Sequence, residues 1–295
     1  MGRGTLMVLL AALIWGTAGT ASTYAPELAS ARSIGAARVI IGGIGLLLYA
    51  WGAHKDVRRP LRSPVLVLFG AVGIAGGQLS FFSAVERSGV AISTVLTIGS
   101  APIFAGVMSA LYLREAPARR WVISTALGVF GVALIGLSGG SSIDGGIIGL
   151  VLGLCGGAGY ALYATASKRL IEFGNDPVGV SAASFGAAAV LLVPVLFLGD
   201  WHWLQEPGGI VVALYLGLFT CAFAFQLLSR ALLTVPVATA ATLSLLEPLT
   251  ATVLGVAWLD ERLAALQWLG AGLLLLGLLV LALPGRFRLA VIRPV

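Results

Sequence analysis

The sequence predicts an all-α integral membrane protein with ten transmembrane helices, arranged as two inverted-topology five-helix repeats with both termini cytoplasmic. Three observations carry this expectation. Of the 295 residues, 59% are hydrophobic and only 10% charged, whereas soluble domains carry about a quarter charged residues. Apolar runs long enough to cross a bilayer recur along nearly the whole chain. The chain also resembles itself at a shift of 146 residues.

The runs fall near 5–23, 33–52, 64–85, 91–113, 118–138, 146–166, 178–199, 208–228, 236–258 and 264–283. Roughly 20 apolar residues make one helical crossing. Each run is helical because lipid offers no partner for backbone polar groups, and none alternates as a barrel strand would. Arg3 followed by an apolar run ending in Ala18-Gly19-Thr20-Ala21 loosely resembles a signal peptide. The later spans and the repeat favour a retained first helix instead. Trp51, Trp121, Trp201, Trp203, Trp258 and Trp268 lie at or near span ends, as an interfacial aromatic belt requires. Trp15 stands apart near the middle of the first span.

At the 146-residue shift, Ser100-Ala101-Pro102 falls on Leu246-Glu247-Pro248, Tyr112-Leu113-Arg114-Glu115 on Trp258-Leu259-Asp260-Glu261, and Gly131 on Gly277. This register divides the chain into a first repeat at 1–140 and a second at 141–295. Five spans per repeat is an odd number, so the second copy enters the membrane upside down. Charge tests the inversion independently. Lys55, Arg58, Arg59 and Arg62 follow the second span, while the equivalent connection after the seventh carries Asp200 and Glu206. Arg114, Arg119 and Arg120 follow the fourth span, whereas Asp260, Glu261 and Arg262 follow the ninth. With Lys168, Arg169 and Arg230 in the other basic connections and Arg286, Arg288 and Arg293 near the end, the positive-inside rule places both termini in the cytoplasm.

The same rule accounts for the net charge of +6 without a nucleic-acid partner. Cys155 and Cys221 lie inside apolar runs with no disulfide or zinc spacing. His54 and His202 lie in connections and no Asp stands mid-span, so neither a metal site nor a catalytic constellation is expected. The Gly clusters Gly42-Gly43, Gly76-Gly77 and Gly156-Gly157-Ala158-Gly159 lack a phosphate-loop context and suit close helix packing. No cofactor is expected.

Two five-helix copies, each with a proline-bearing fourth span, a short charged turn and a closing Gly-rich helix, resemble the EamA branch of the drug/metabolite transporter superfamily. The carrying segments are Ala101-Pro102 with Leu113-Arg114-Glu115, and Leu246-Glu247-Pro248 with Leu259-Asp260-Glu261-Arg262, together with Trp15-Gly16 and Arg38. Within the superfamily the overall likeness is to amino-acid exporters, including the aromatic group. The resemblance implies a multi-pass secondary transporter of the bacterial inner membrane, exporting small metabolites, amino acids foremost, by alternating access. The first copy departs from the Glu-Pro pattern, having Ala101 where the second has Glu247, so a symmetric two-carboxylate mechanism is not expected.

Glu247 is the sharpest substrate or coupling candidate, since an ionisable group inside a span is costly unless it faces a cavity or a partner. A structural role is open too: its carboxyl could serve backbone groups disturbed by Pro248. Arg38 could snorkel to the headgroups or point inward toward Glu247 or a substrate carboxylate. Gln78 and Gln226 are either helix-to-helix hydrogen bonders or cavity groups. Trp15, Phe81, Phe82, Tyr160 and Tyr163 could wall an organic substrate, with packing as the plainer role. Pro102 and Pro248 mark candidate helix breaks or hinges. The expected partners are a small-molecule substrate and the lipid bilayer. A nucleotide-sugar or other anionic-metabolite carrier is the alternative, weakened because Arg38 is the sole base well inside a span. An intramembrane enzyme lacks its reacting groups, and a channel lacks a ring of charges or carbonyls.

Overall fold

The computed structural model of the chain describes residues 2–137, 146–258 and 263–282. Every regular element among them is helical. Nine of these helical stretches are long and apolar enough to cross a membrane. The expectations on Leu259, Asp260, Glu261, Arg262, Arg286, Arg288, Arg293 and the boundary near 140 lie outside the described residues.

Helix α1 (Arg3–Ser22) is followed by α2 (Ala31–Gly52), whose first turn is capped by Ser30 Oγ accepting from the Ser33 N–H. Asp56 Oδ1 accepts from the N–H groups of Arg58 and Arg59 and starts the single turn α3 (Arg58–Leu61). Next comes α4 (Pro64–Met108), 45 residues with proline in its first turn. At 1.5 Å per residue it would extend about 68 Å, more than twice the hydrocarbon core. It is not one straight rod. Gly89, at φ +74°, interrupts it and separates arms 64–88 and 90–108. Only glycine takes that backbone conformation without steric cost. The second arm ends in a π-helical turn (Ser109–Leu113) and left-handed Arg114.

After α5 (Arg119–Leu137) come α6 (Gly146–Glu172) and α7 (Pro177–Leu198), the latter capped by Asp176 with proline at its start. Helix α8 (Pro207–Leu214) continues through a π-helical segment (Tyr215–Phe223) into α9 (Ala224–Ala231). The next apolar stretch is discontinuous: α10 (Val237–Leu243) stops in a turn at 244–245, and α11 (Leu246–Trp258) restarts with Glu247 in its first turn. Helix α12 (Ala265–Ala282) closes the described bundle.

Small residues set the helix spacing. A Cβ on Gly159 of α6 would lie 2.5 Å from the Gly73 carbonyl oxygen of α4, and one on Gly131 of α5 would lie 2.6 Å from that of Gly270 in α12. Gly43 of α2 meets the Phe185 carbonyl of α7 in the same way. Backbones approach this closely only where no side chain intervenes, which lets dispersion contacts form without help from the hydrophobic effect. The contacts also come in corresponding sets: α6 packs on both arms of α4, while α1 packs on α9 and α11; α2 pairs with α7, and α5 with α12.

At one end of the bundle, Lys168 Nζ donates to the Leu232 carbonyl at 2.8 Å and faces Glu115 at 3.9 Å. Trp121 Nε1 donates to the Ala238 carbonyl there, and Lys55 pairs with Asp176. At the other end Arg32 pairs with Glu86, and Trp258 Nε1 donates to Tyr24. Trp203 stands in the connection between two spans, as expected, but faces the protein interior. It is fully buried, its indole N–H donating to Ser33 Oγ, which in turn donates to the Asp200 carbonyl. The buried indole N–H thus has the acceptor it needs within the protein.

Candidate functional site

A cavity of about 160 Å³ lies inside the bundle, lined from α1, α2, both arms of α4, α6, α7 and the 215–247 region. Its polar lining includes Arg38, Gln78, Thr97, Ser244 and Glu247, and its aromatic lining Trp15, Phe81, Tyr160, Tyr163, Phe185 and Phe225. Small residues such as Gly77, Gly156 and Ala101 leave the space between them.

Each polar group is brought there by a local feature. Glu247 reaches the cavity because the 244–245 turn restarts the helix beside it, and the amino end of α11 favours a carboxylate through its backbone dipoles. Pro248 stands in the same first turn, where its missing N–H costs no helical hydrogen bond. Pro102, by contrast, lies inside an unbroken arm. Arg38 points inward, its Nη2 donating to the Thr220 carbonyl at 3.3 Å. Thr220 belongs to the π-helical segment, whose altered register accompanies this cross-helix bond. Arg38 and Glu247 line the same cavity.

The aromatic groups form a connected set with Phe225 at its centre. Its ring centroid is 4.8 Å from Trp15, 4.8 Å from Phe185 and 5.5 Å from Tyr163. Tyr160 meets Trp15 edge-on at 6.3 Å. The two tyrosine hydroxyls bridge helices, Tyr160 to Ser244 Oγ at 3.1 Å and Tyr163 to Ser229 Oγ at 3.0 Å.

Of the candidates read from sequence, Glu247, Arg38, Gln78, Trp15, Tyr160 and Tyr163 share this lining. Gln226 and Phe82 are not among the lining residues. Gln226 Oε1 accepts from Ser181 Oγ at 2.7 Å, a helix-to-helix bond. Phe82 packs onto Gly35, while its neighbour Phe81 lines the cavity. Phe225, Phe185 and Thr97 were missed. Phe225 adjoins Gln226, and one residue is about 100° of helix rotation, which a uniformly apolar span does not fix. Among the described residues no three His, Cys, Asp or Glu side chains are grouped to hold a metal.

Residues 2–137 and 147–283 each match the EamA-like transporter family. The chain belongs to the EamA-like transporter family. This places it in the drug/metabolite transporter superfamily, as a multi-pass transporter of the bacterial inner membrane. The chain is 40% identical over 278 residues to the uncharacterized transporter YwfM of Bacillus subtilis, covering 94% of this chain and 93% of that one. It is 29% identical over 280 residues to the threonine/homoserine exporter RhtA of Escherichia coli, covering 90% of this chain and 87% of that one. A solved crystal structure superposes with a TM-score of 0.80 at 21% identity, covering 96% of this chain and 99% of the other, and shares the fold.

Proposed function

We propose that this EamA-family transporter exports amino acids, aromatic ones among them, by alternating access of the cavity bounded by Arg38 and Glu247. The observation that carries the reading is the presence of one cation and one carboxylate, on α2 and α11, in a single aromatic-walled cavity. A zwitterion satisfies both charges, whereas an anionic metabolite leaves Glu247 opposed. The threonine/homoserine exporter among the relatives supports the same class.

The proposed architecture is ten crossings. The two arms of α4 count separately, since neither a 68 Å rod nor its Gly89 bend fits one passage. Residues 1–140 and 141–295 then form two inverted five-helix halves with both termini cytoplasmic. The corresponding contact sets support this arrangement, because exchanging the halves maps α6 on α4 onto α1 on α9 and α11. Alternating access is a rocking of one half against the other about the cavity between them.

The test is counterflow in proteoliposomes preloaded with unlabelled amino acids, nucleosides, sugars or organic anions, following uptake of the labelled compounds. Amino-acid exchange that falls at least tenfold in a folded Glu247→Gln variant is expected. Exchange of organic anions but no amino acid refutes the reading, and unimpaired Glu247→Gln removes that residue from the site.

A further inference from the structure

The cavity lining holds three buried polar atoms with no hydrogen-bond partner among the described residues: Trp15 Nε1, Arg38 Nε and Gln78 Oε1. Trp15 is only 4% exposed, and its ring is fixed against Phe225 and Tyr160. A buried indole N–H normally finds an acceptor, because leaving a donor unpaired in a dry site is costly. Arg38 is tethered by Nη2 to Thr220, which leaves the Nε donor of the same planar fork uncommitted. Gln78 Oε1 supplies an unpartnered acceptor, and the partly buried Glu247 places a carboxylate on the same lining.

The lining residues therefore hold two donors without acceptors, one acceptor without a donor and, in Glu247, a carboxylate: a paired deficit. A carboxylate accepts only and an ammonium donates only, so the two ends of an α-amino acid meet the two halves of this deficit. A simple anion would leave Glu247 and Gln78 unmet, and a simple cation would leave Trp15 and Arg38 unmet.

Resting on the amino-acid reading above, we propose that Trp15 Nε1 and the Arg38 guanidinium receive the substrate α-carboxylate, while Glu247 and Gln78 Oε1 receive the α-ammonium. Trp15 is therefore a hydrogen-bonding specificity residue as well as part of the aromatic wall. The substrate side chain then faces the remaining lining and contributes affinity by contact, so recognition of the backbone groups is shared by several amino acids.

Proteoliposome counterflow of labelled L-threonine and L-phenylalanine tests this with unlabelled competitors. In the wild type, the free amino acid competes, while its methyl ester, lacking the carboxylate, and its N-acetyl derivative, lacking the ammonium, do not. Trp15→Phe keeps a ring but removes the N–H. It is expected to raise KM about tenfold while largely keeping the maximal rate, as loss of one hydrogen bond to a charged group predicts. Amino-acid exchange with equal competition by the ester or the N-acetyl compound overturns the proposal and leaves the amino-acid reading standing. So does an unchanged KM in folded Trp15→Phe. If that variant does not fold, the wild-type competition series decides alone. Failure of the folded wild type to exchange any of the twenty amino acids overturns both.

Discussion

Replacing Gly159 by alanine tests whether glycine contact sets the spacing of α4 and α6. The added Cβ would stand 2.5 Å from the Gly73 carbonyl oxygen, 2.7 Å from Gly77 Cα and 3.0 Å from Gly77 N. All three are backbone atoms, so no side chain can swing aside. Ordinary carbon-to-oxygen contact begins near 3.3 Å, and the helices would have to part by about 0.8 Å. Overpacking of this kind costs about 1–3 kcal/mol. At about 2–4 °C per kcal/mol for a chain approaching this size, the melting temperature of purified protein in detergent should fall by about 2–12 °C. Gly77→Ala is the control. Its Cβ would come no closer than 3.4 Å to any neighbour, and alanine is favoured over glycine in a helix by about 1 kcal/mol. Gly77→Ala should therefore match or exceed the wild type in stability. A Gly159→Ala protein melting within a degree of wild type, or a Gly77→Ala protein falling as far, refutes the spacing argument.

Asp176 accepts from the Val178 N–H and caps α7, so Asp176→Ala should cost about 1 kcal/mol in thermal or denaturant unfolding. Asp176→Asn keeps the cap and loses the charge that pairs with exposed Lys55 and is attracted by Arg230, a difference of under about 1 kcal/mol. Partial burial works to raise the Asp176 carboxyl, but the bond from Lys55, the Val178 N–H and the Lys55 and Arg230 charges outweigh it and hold it below its ordinary value. Its ionised form is thus favoured in the folded state. The advantage of wild type over Asp176→Asn should be full near pH 7 and shrink as pH falls below about 4. Trp203→Phe removes the donor to Ser33 in a fully buried position and should lower unfolding stability by about 1–3 kcal/mol. For topology, a cysteine at exposed Arg62 should be shielded from impermeant periplasmic thiol reagents, and one at exposed Glu206 should react. The reversed labelling pattern refutes cytoplasmic termini.

Much of the bundle was legible in the sequence because lipid imposes one rule on every span: a run of about 20 apolar residues must satisfy its own backbone as a helix. That rule places the helical stretches, such as the run at 178–199 that forms α7. It does not say where a helix changes register. The expected gap near 86–90 is a bend at Gly89 within nearly continuous helix, and the π-helical segment at Tyr215–Phe223 has no sequence mark of its own. Trp203 shows the same limit. Its place at a span end was legible, but its burial against Ser33, distant in sequence, was not.

The sequence by itself determined the membrane class, the family and the few charges that lie within spans, because each follows from residue type and order along the chain. Only the tertiary structure decided which of those side chains share a cavity. In spans apolar on every side, hydrophobicity does not distinguish one helix face from another, so rotation is fixed by glycine contacts such as Gly73 with Gly159. In the folded bundle Phe225 and Phe81 line the cavity, while Gln226 bonds to Ser181 and Phe82 packs on Gly35.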